Sequence, residues 1–307
     1  MCQMQRRAIT LIELLVVVGI IGILVALSLV GIQRSRESAR NIGCKSRLSQ
    51  IGIAIQNYES ANRVLPDQIW HLEILKFIGL VTEYEQLANK TFVGTIPEYL
   101  CPSDNATRPN EMVYSNFHGN CGVWPNKDGY NGVLGIGSWP NASRNSGPIS
   151  LSDIGDGLSL TALVAEALTG STTTGPEARL RWVWVLPGHA YTIDEFDDIV
   201  EACMSIPQNP AKAGWIGGSG ERGGIYSTVS HTARAGVTVN IYNHAAPPQS
   251  PSCTNAGGYP TGIASATSNH LSGLNVLFCD GHVEAVNNRV ELDVWRQFGD
   301  RDGSYIQ

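Results

Sequence analysis

Arg7-Ala8-Ile9-Thr10-Leu11-Ile12-Glu13-Leu14-Leu15-Val16-Val17 opens a long apolar run, and its reading decides how the whole chain is organised. From Leu14 to Ile32 there are 19 residues without a charge. As a helix that run spans about 28 Å, close to the ~30 Å hydrocarbon core of a bilayer. Gly19, Gly22 and Gly31 weaken a helix in water but are frequent in membrane helices. Glu13 sits one turn inside the apolar segment, where a carboxylate costs a few kcal/mol and marks a functional residue with a partner. Two simpler readings compete. A secretory signal cleaved near Ala26-Leu27-Ser28 is disfavoured because the apolar run continues past that site. An uncleaved anchor gives Glu13 no purpose.

Beyond Ile32 the chain turns polar yet keeps a helical period. Cys44, Leu48, Ile51, Ile55 and Tyr58 fall on one face, and Pro66 bounds the pattern. One helix from Ile9 to Ser60 would run roughly 78 Å, its first half in lipid or a filament core and its second half against a globular head. Charge balance around the span is awkward. Arg6 and Arg7 precede it, while Arg34, Arg36, Arg40, Lys45 and Arg47 follow it with only Glu37 opposing, which by counting alone puts the C-terminal side in the cytoplasm.

The remainder reads as short strands and loops, because 33 Gly and 15 Pro favour turns over a helix bundle. His71 to Ala88 has room for one or two short helices. The alternating stretch Leu180-Arg181-Trp182-Val183-Trp184-Val185 predicts a strand, and Gly236 to Asn240 another. Asn275 to Cys279 and His282 to Val286 flank Asp280-Gly281, which predicts a two-residue type I′ hairpin pairing Phe278 with Val283 and Val276 with Ala285.

The net charge of −6 leaves no footprint for nucleic acid. Apart from Cys2, the cysteines are Cys44, Cys101, Cys121, Cys203, Cys253 and Cys279, with no C-x-x-C pair to suggest a zinc ribbon. In an oxidising compartment they allow up to three disulfides, and at least one is expected, although Cys279 in an apolar strand fits a buried thiol as well. The seven histidines are scattered without H-E-x-x-H, and nucleophile-elbow, P-loop and dinucleotide motifs are absent from the sequence. Asp153 and Asp156 in a polar loop are the one hard-cation lead, for calcium, against an ordinary Asp-Gly turn. No other cofactor is expected.

The segment around Glu13 resembles the type IV prepilin signal, in which a small residue precedes Phe-Thr-Leu-Ile-Glu and an apolar helix. Here Ala8 and Ile9 stand where that family has Gly and Phe. The resemblance implies cleavage between Ala8 and Ile9 by a prepilin peptidase, methylation of the new N-terminus, and pairing of Glu13 with the terminal amine of a neighbouring subunit. It also implies an extracytoplasmic head, against the charge count. Further motifs resemble planctomycete-type prepilin-like proteins carrying a domain of unknown function. His270, nine residues, then Asp280-Gly281 is similar to their H-X9-DG signature, and Cys101-Pro102-Ser103-Asp104 to their Cys-Pro-Ser-Asp motif. Asp153 to Thr161 and Tyr242-Asn243-His244 through Pro251-Ser252-Cys253 resemble two more segments. His270 and Asp280 invite a catalytic dyad, but ordering a loop and a turn is the stronger reading.

The resulting expectation is an α+β, pilin-like protein, its head built on antiparallel sheet. It divides into a leader (1–8), a transmembrane or filament-core helix (9–32), an amphipathic continuation (33–65) and a head (66–307). Its expected role is non-enzymatic, as a pilus- or pseudopilin-like subunit of a type IV pilus- or type II secretion-like filament. Its partners would be the prepilin peptidase, the lipid bilayer and other pilin-like subunits. It would cross the inner membrane once, with the head outside or at the cell surface. The alternative is a surface-anchored glycan-binding module or hydrolase that borrows the prepilin route for export, with Trp182, Trp184 and Trp215 as its ligand-facing aromatics.

Overall fold

The computed structural model describes residues 11–66, 69–89, 91–92, 94–108, 112–123, 131–134, 149–171, 175–186, 195–210, 212–213, 217–218, 224–227, 241–254 and 262–303. A 52-residue helix, α1 (Leu11–Asn62), leads into two short helices, α2 (Trp70–Ile78) and α3 (Val81–Ala88). Strands β1 (Met112–Tyr114), β2 (Phe117–Asn120) and β3 (Ala162–Glu166) follow, then α4 (Ala178–Arg181), β4 (Val183–Val185) and α5 (Phe196–Met204). The chain continues through β5 (Gly217–Gly218), β6 (Gly224–Ser227), β7 (Ile241–Tyr242), β8 (Ser252–Thr254) and β9 (Gly262–Ile263). It closes with β10 (Leu274–Phe278), β11 (Val283–Val286) and α6 (Leu292–Gly299). The architecture is α+β.

The central sheet has the order β11-β10-β3-β2-β7, and a second sheet the order β5-β4-β8-β9. The sheets are not wholly antiparallel: β7 joins β2, and β8 joins β4, in parallel. These pairs connect strands far apart in sequence, so no local pattern announces them.

Period-two alternation along β10 places the central sheet between α1 and α6. Leu277 belongs to the core shared with Leu48, Ile51 and Ile55 of α1 and Trp70 and Ile74 of α2. Leu274, Val276 and Phe278 belong to the core on the other face, around Trp295 of α6. Gly52 lets the helix approach this strand: a Cβ there would lie 2.9 Å from Leu277 Cδ1. The one-sided stripe on α1 is therefore core, with Tyr58 half-buried at its end against Phe77, their ring centroids 5.7 Å apart.

Two local expectations need correction. Leu180 and Arg181 belong to α4, not to a strand; Trp182 is extended, and the strand itself covers Val183–Val185. Arg181 is buried and bonds Asp104 Oδ1 at 2.7 Å and the Thr169 carbonyl at 3.0 Å, a demand that overrides β-propensity at that position. In the β10–β11 hairpin Leu277 pairs with Val283 and Val276 with Glu284, one residue off the expected register. Gly281 N donates to Phe278 O, and Phe278 N to His282 O, so the loop holds three residues, Cys279 to Gly281. Only Gly281 needs positive φ, at 95°, the geometry of a type I turn followed by a left-handed residue. The predicted strand Gly236 to Asn240 lies outside the described residues.

Candidate functional site

Two regions concentrate the residues singled out by sequence. The first is the N-terminal half of α1. From Leu11 to Ile32 every residue is exposed, and the helix is long and apolar enough to cross a membrane. Glu13 lies in its first turn. Ala8 and Ile9 lie outside the described residues. A run of exposed Leu, Ile and Val on this scale is an interface with lipid or protein, since water alone does not tolerate it on a soluble surface.

The second region lies where α1 enters the head, and three separated motifs meet there. His270 Nδ1 sits 2.7 Å from Glu37 Oε1, and its Nε2 sits 3.3 Å from Glu166 Oε1 and 3.5 Å from Cys101 Sγ. Ser103 donates to the same Glu37 oxygen at 2.9 Å, and Arg40 to the other at 2.6 Å. Cys101 is disulfide-bonded to Cys44 of α1. Asp104, the last residue of the Cys-Pro-Ser-Asp motif, is buried and accepts from Arg181, Asn116 and Thr169. Arg47 caps the Leu100 carbonyl just before the motif.

Electrostatics follow from this packing. Burial alone would lower the His270 pKa, but the hydrogen bond and charge of Glu166, with those of Glu37, raise it above the ordinary imidazole value. Burial pushes Glu37 up, yet hydrogen bonds from His270, Arg40 and Ser103 leave it below the usual carboxylate range. Burial likewise opposes ionisation of Asp104, and the charges of Arg181 and Arg108 overcome it.

The signature residues do not form a dyad. Asp280 Oδ1 accepts from His282 N at 3.0 Å and pairs with His282 Nδ1 at 2.6 Å, bracing the exit of the hairpin turn. The Asp280 carbonyl accepts from Gln56 Nε2 at 3.1 Å. Between His270 and Asp280, Asn275 Nδ2 donates to Asn41 Oδ1 at 2.8 Å. The signature is thus a splint along α1, fastened at Glu37, Asn41 and Gln56. The other resembling segments support it. Thr161 O accepts from Cys279 N and Leu158 O from Asp280 N, while His244 bridges the Trp295 carbonyl and the Tyr242 hydroxyl.

Of the six cysteines among the described residues, four pair, as Cys44–Cys101 and Cys203–Cys253, and Cys121 and Cys279 are free and buried. Asp153 Oδ2 is held by Ser150 N and Oγ, each at 2.8 Å, and caps its own turn. Among the described residues no third Asp, Glu, His or Cys joins Asp153 and Asp156 in a ligand group. Trp182 and Trp184 stack with centroids 5.3 Å apart, but both are buried and their indole N–H groups bond Ser171 and Arg179 carbonyls. Trp215 lies outside the described residues.

Glu37 and Glu166 were not singled out by sequence reasoning. Glu37 showed only as the lone acid among bases. Glu166 had a usable signal: it ends the apolar strand Ala162-Leu163-Val164-Ala165, where a carboxylate must find donors, and Asn275 N and Nδ2 supply them at 3.0 and 2.8 Å.

Comparison with known proteins agrees with this organisation. Residues 3–29 match the family model described as a prokaryotic N-terminal methylation motif. Residues 33–76 and 80–293 match the model described as a protein of unknown function, DUF1559. Neither the curated proteins nor the solved structures yield a match. With the splinted helix and head both inside the matched range, the chain belongs to the DUF1559 family and carries a prepilin-type methylation motif at its N-terminus.

Proposed function

We propose that this chain is a non-enzymatic, pilin- or pseudopilin-like subunit that assembles through α1 into a type IV pilus- or type II secretion-like filament. The observation that carries the reading is the division of α1. Its first part, Leu11 to Ile32, is apolar and wholly exposed, while Cys44 to Ile55 of the same unbroken helix is clamped in the head. Such a helix needs a partner for one half only, lipid in the precursor and neighbouring copies of α1 after assembly. Glu13 then sets register by pairing with a neighbour's terminal amine, each charge offsetting the other's cost in an apolar setting.

The methylation motif supports processing by a prepilin peptidase and membrane attachment. Two disulfides support a head outside the cytoplasm, since such bonds persist in oxidising compartments. The head would then face away from an inner membrane crossed once by α1.

The test is to express the full chain with its prepilin peptidase, determine the mature N-terminus by intact mass and terminal peptide sequencing, and shear filaments from the cells. The expected start is methylated Ile9, with the chain in the sheared fraction. Glu13→Ala is expected to be processed and to disappear from that fraction. A start at Met1 or near Leu29, or unimpaired assembly of Glu13→Ala, would overturn the proposal.

A further inference from the structure

Cys44, Cys101, Glu166 and His270 are all buried, and one ligand atom from each lies within 4.8 Å of every other. They come from four separate places: α1, the loop after Tyr99, the end of β3 and the loop before β10. A tetrahedral zinc site with Zn–S near 2.3 Å and Zn–N and Zn–O near 2.1 Å has S···N edges of about 3.6 Å and N···O edges of about 3.4 Å. Cys101 Sγ and His270 Nε2 are 3.5 Å apart, and His270 Nε2 and Glu166 Oε1 are 3.3 Å apart. Two of the tetrahedron's edges already stand in place. Of the other four edges, the two sulfurs must separate to about 3.8 Å, which reduction of their bond permits, and the three that join Cys44 to His270 and each sulfur to Glu166, all within 4.8 Å, must settle to about 3.6 Å.

The surroundings are also those of a metal centre. A metal-ligating imidazole almost always donates its other ring N–H to a carboxylate, a backbone carbonyl or a water, which fixes its tautomer and its aim. Glu37 Oε1 does this for His270 Nδ1 at 2.7 Å, leaving Nε2 turned toward the cluster. Glu37 is itself held by Ser103 and Arg40, and Glu166 by the backbone and side-chain nitrogens of Asn275.

We propose that, when the Cys44–Cys101 disulfide is reduced, both sulfurs join His270 Nε2 and Glu166 Oε1 in binding one zinc-class divalent cation. The donor set of two thiolates, one imidazole and one carboxylate suits zinc and disfavours calcium and magnesium. Four protein ligands leave no open position, so the site is structural. The redox step balances with a thiol reductant: two reductant thiols become one disulfide and pass two electrons and two protons to Cys44 and Cys101. Metal binding then releases both cysteine protons, and any proton on Nε2, to solvent. The same four chain segments are thus stapled either by a disulfide or by a metal, according to the redox state around the chain.

The test uses the full chain in detergent micelles, reduced with a phosphine and titrated with Co²⁺ alone and then Zn²⁺. One Co²⁺ per chain is expected, with thiolate-to-cobalt charge-transfer absorption that Zn²⁺ abolishes. The oxidised chain should show no such band. A variant with Cys203→Ser and Cys253→Ser should keep it, which excludes the second cysteine pair as its source. Cys101→Ser and His270→Ala should lose it, and Glu37→Gln should weaken Co²⁺ binding by about 10- to 100-fold through the imidazole. Far-UV circular dichroism establishes that each variant is folded. A folded, reduced chain without the band would overturn the proposal, as would equal affinity in folded His270→Ala and Glu37→Gln.

Discussion

His270 Nδ1 stands 2.7 Å from Glu37 Oε1, so the first residue of the C-terminal signature is bonded to α1 and not to the Asp280 near its end. Asp280 has its own partner in His282. The two pairs differ in setting: the His270 side chain is 1% exposed, those of His282 and Asp280 41% and 36%. Without the buried imidazole Glu37 keeps Arg40 and Ser103, and Glu166 keeps Asn275, but the cation that bridged the two carboxylates is gone, whereas an exposed pair contributes little. His270→Ala should therefore destabilise the oxidised head by about 3 kcal/mol. His282→Ala should cost less than about 1 kcal/mol. Denaturant unfolding of the full chain in detergent, followed by tryptophan fluorescence, compares the two. Equal losses would refute the splint.

The helix meets the sheet at Gly52. A Cβ there would lie 2.9 Å from Leu277 Cδ1, and Leu277 is fully buried among α1 and α2 side chains, so it has nowhere to retreat. Overpacking of this kind costs about 1–3 kcal/mol. At Gly43 the same atom would meet only Pro102 Cγ, at an ordinary 3.5 Å. There the gain in helix propensity dominates, by up to about 1 kcal/mol. Gly52→Ala should lower the unfolding midpoint while Gly43→Ala holds or raises it. The reverse order would mean that α1 does not dock in this register.

Buried neutral histidines make the head sensitive to acid. Burial lowers the His244 pKa to about 3, its Nδ1 hydrogen bond to the Trp295 carbonyl only partly opposing this. Burial, then the charge of His118, lowers that of His71. In the unfolded chain both take a proton near pH 6.5. Between that pH and about 3 the unfolded state binds protons that the folded state refuses, so stability falls as pH drops through this window. Asp104 acts in the same sense further down, because its ion pairs are lost on protonation. Unfolding free energy measured from pH 7 to pH 4 should decline by a few kcal/mol. His244→Gln should flatten part of the slope, and an unchanged slope would remove His244 from the account.

What could be read from sequence, and what could not, follows the range of the interactions. The apolar run, the Cys44-to-Tyr58 stripe and the short helices before Ala88 depend on periodicity within one or two turns, and all are present as elements. The hairpin was visible, but its register was not, because Asp280-Gly281 serves a three-residue loop as readily as a two-residue one. Arg181 left the expected strand for a partner 77 positions away, at Asp104. The convergence of Glu37, Cys101, Glu166 and His270 was illegible for the same reason. Each is ordinary beside its sequence neighbours, and only the packing of α1 on the head brings them together.

Thiol counting joins the fold to the processing of the chain. Cys121 and Cys279 are free but buried, and burial pushes the Cys121 thiol up to about 12 and the Cys279 thiol well above its ordinary value. The thiolate is the reactive form, so neither should react with iodoacetamide in the native oxidised protein. After denaturation without reductant a chain beginning at Ile9 should show two thiols, and one that keeps residues 1–8 a third, from Cys2. Full reduction should add four more, from Cys44–Cys101 and Cys203–Cys253. Those bonds join residues 57 and 50 positions apart. Each should contribute about 4 kcal/mol by restricting the unfolded chain. Mass spectrometry of the alkylated protein reads all three numbers in one experiment. Rapid alkylation of the native protein would contradict the burial of Cys121 and Cys279. More than three thiols before reduction would mean that one of the two disulfides does not form.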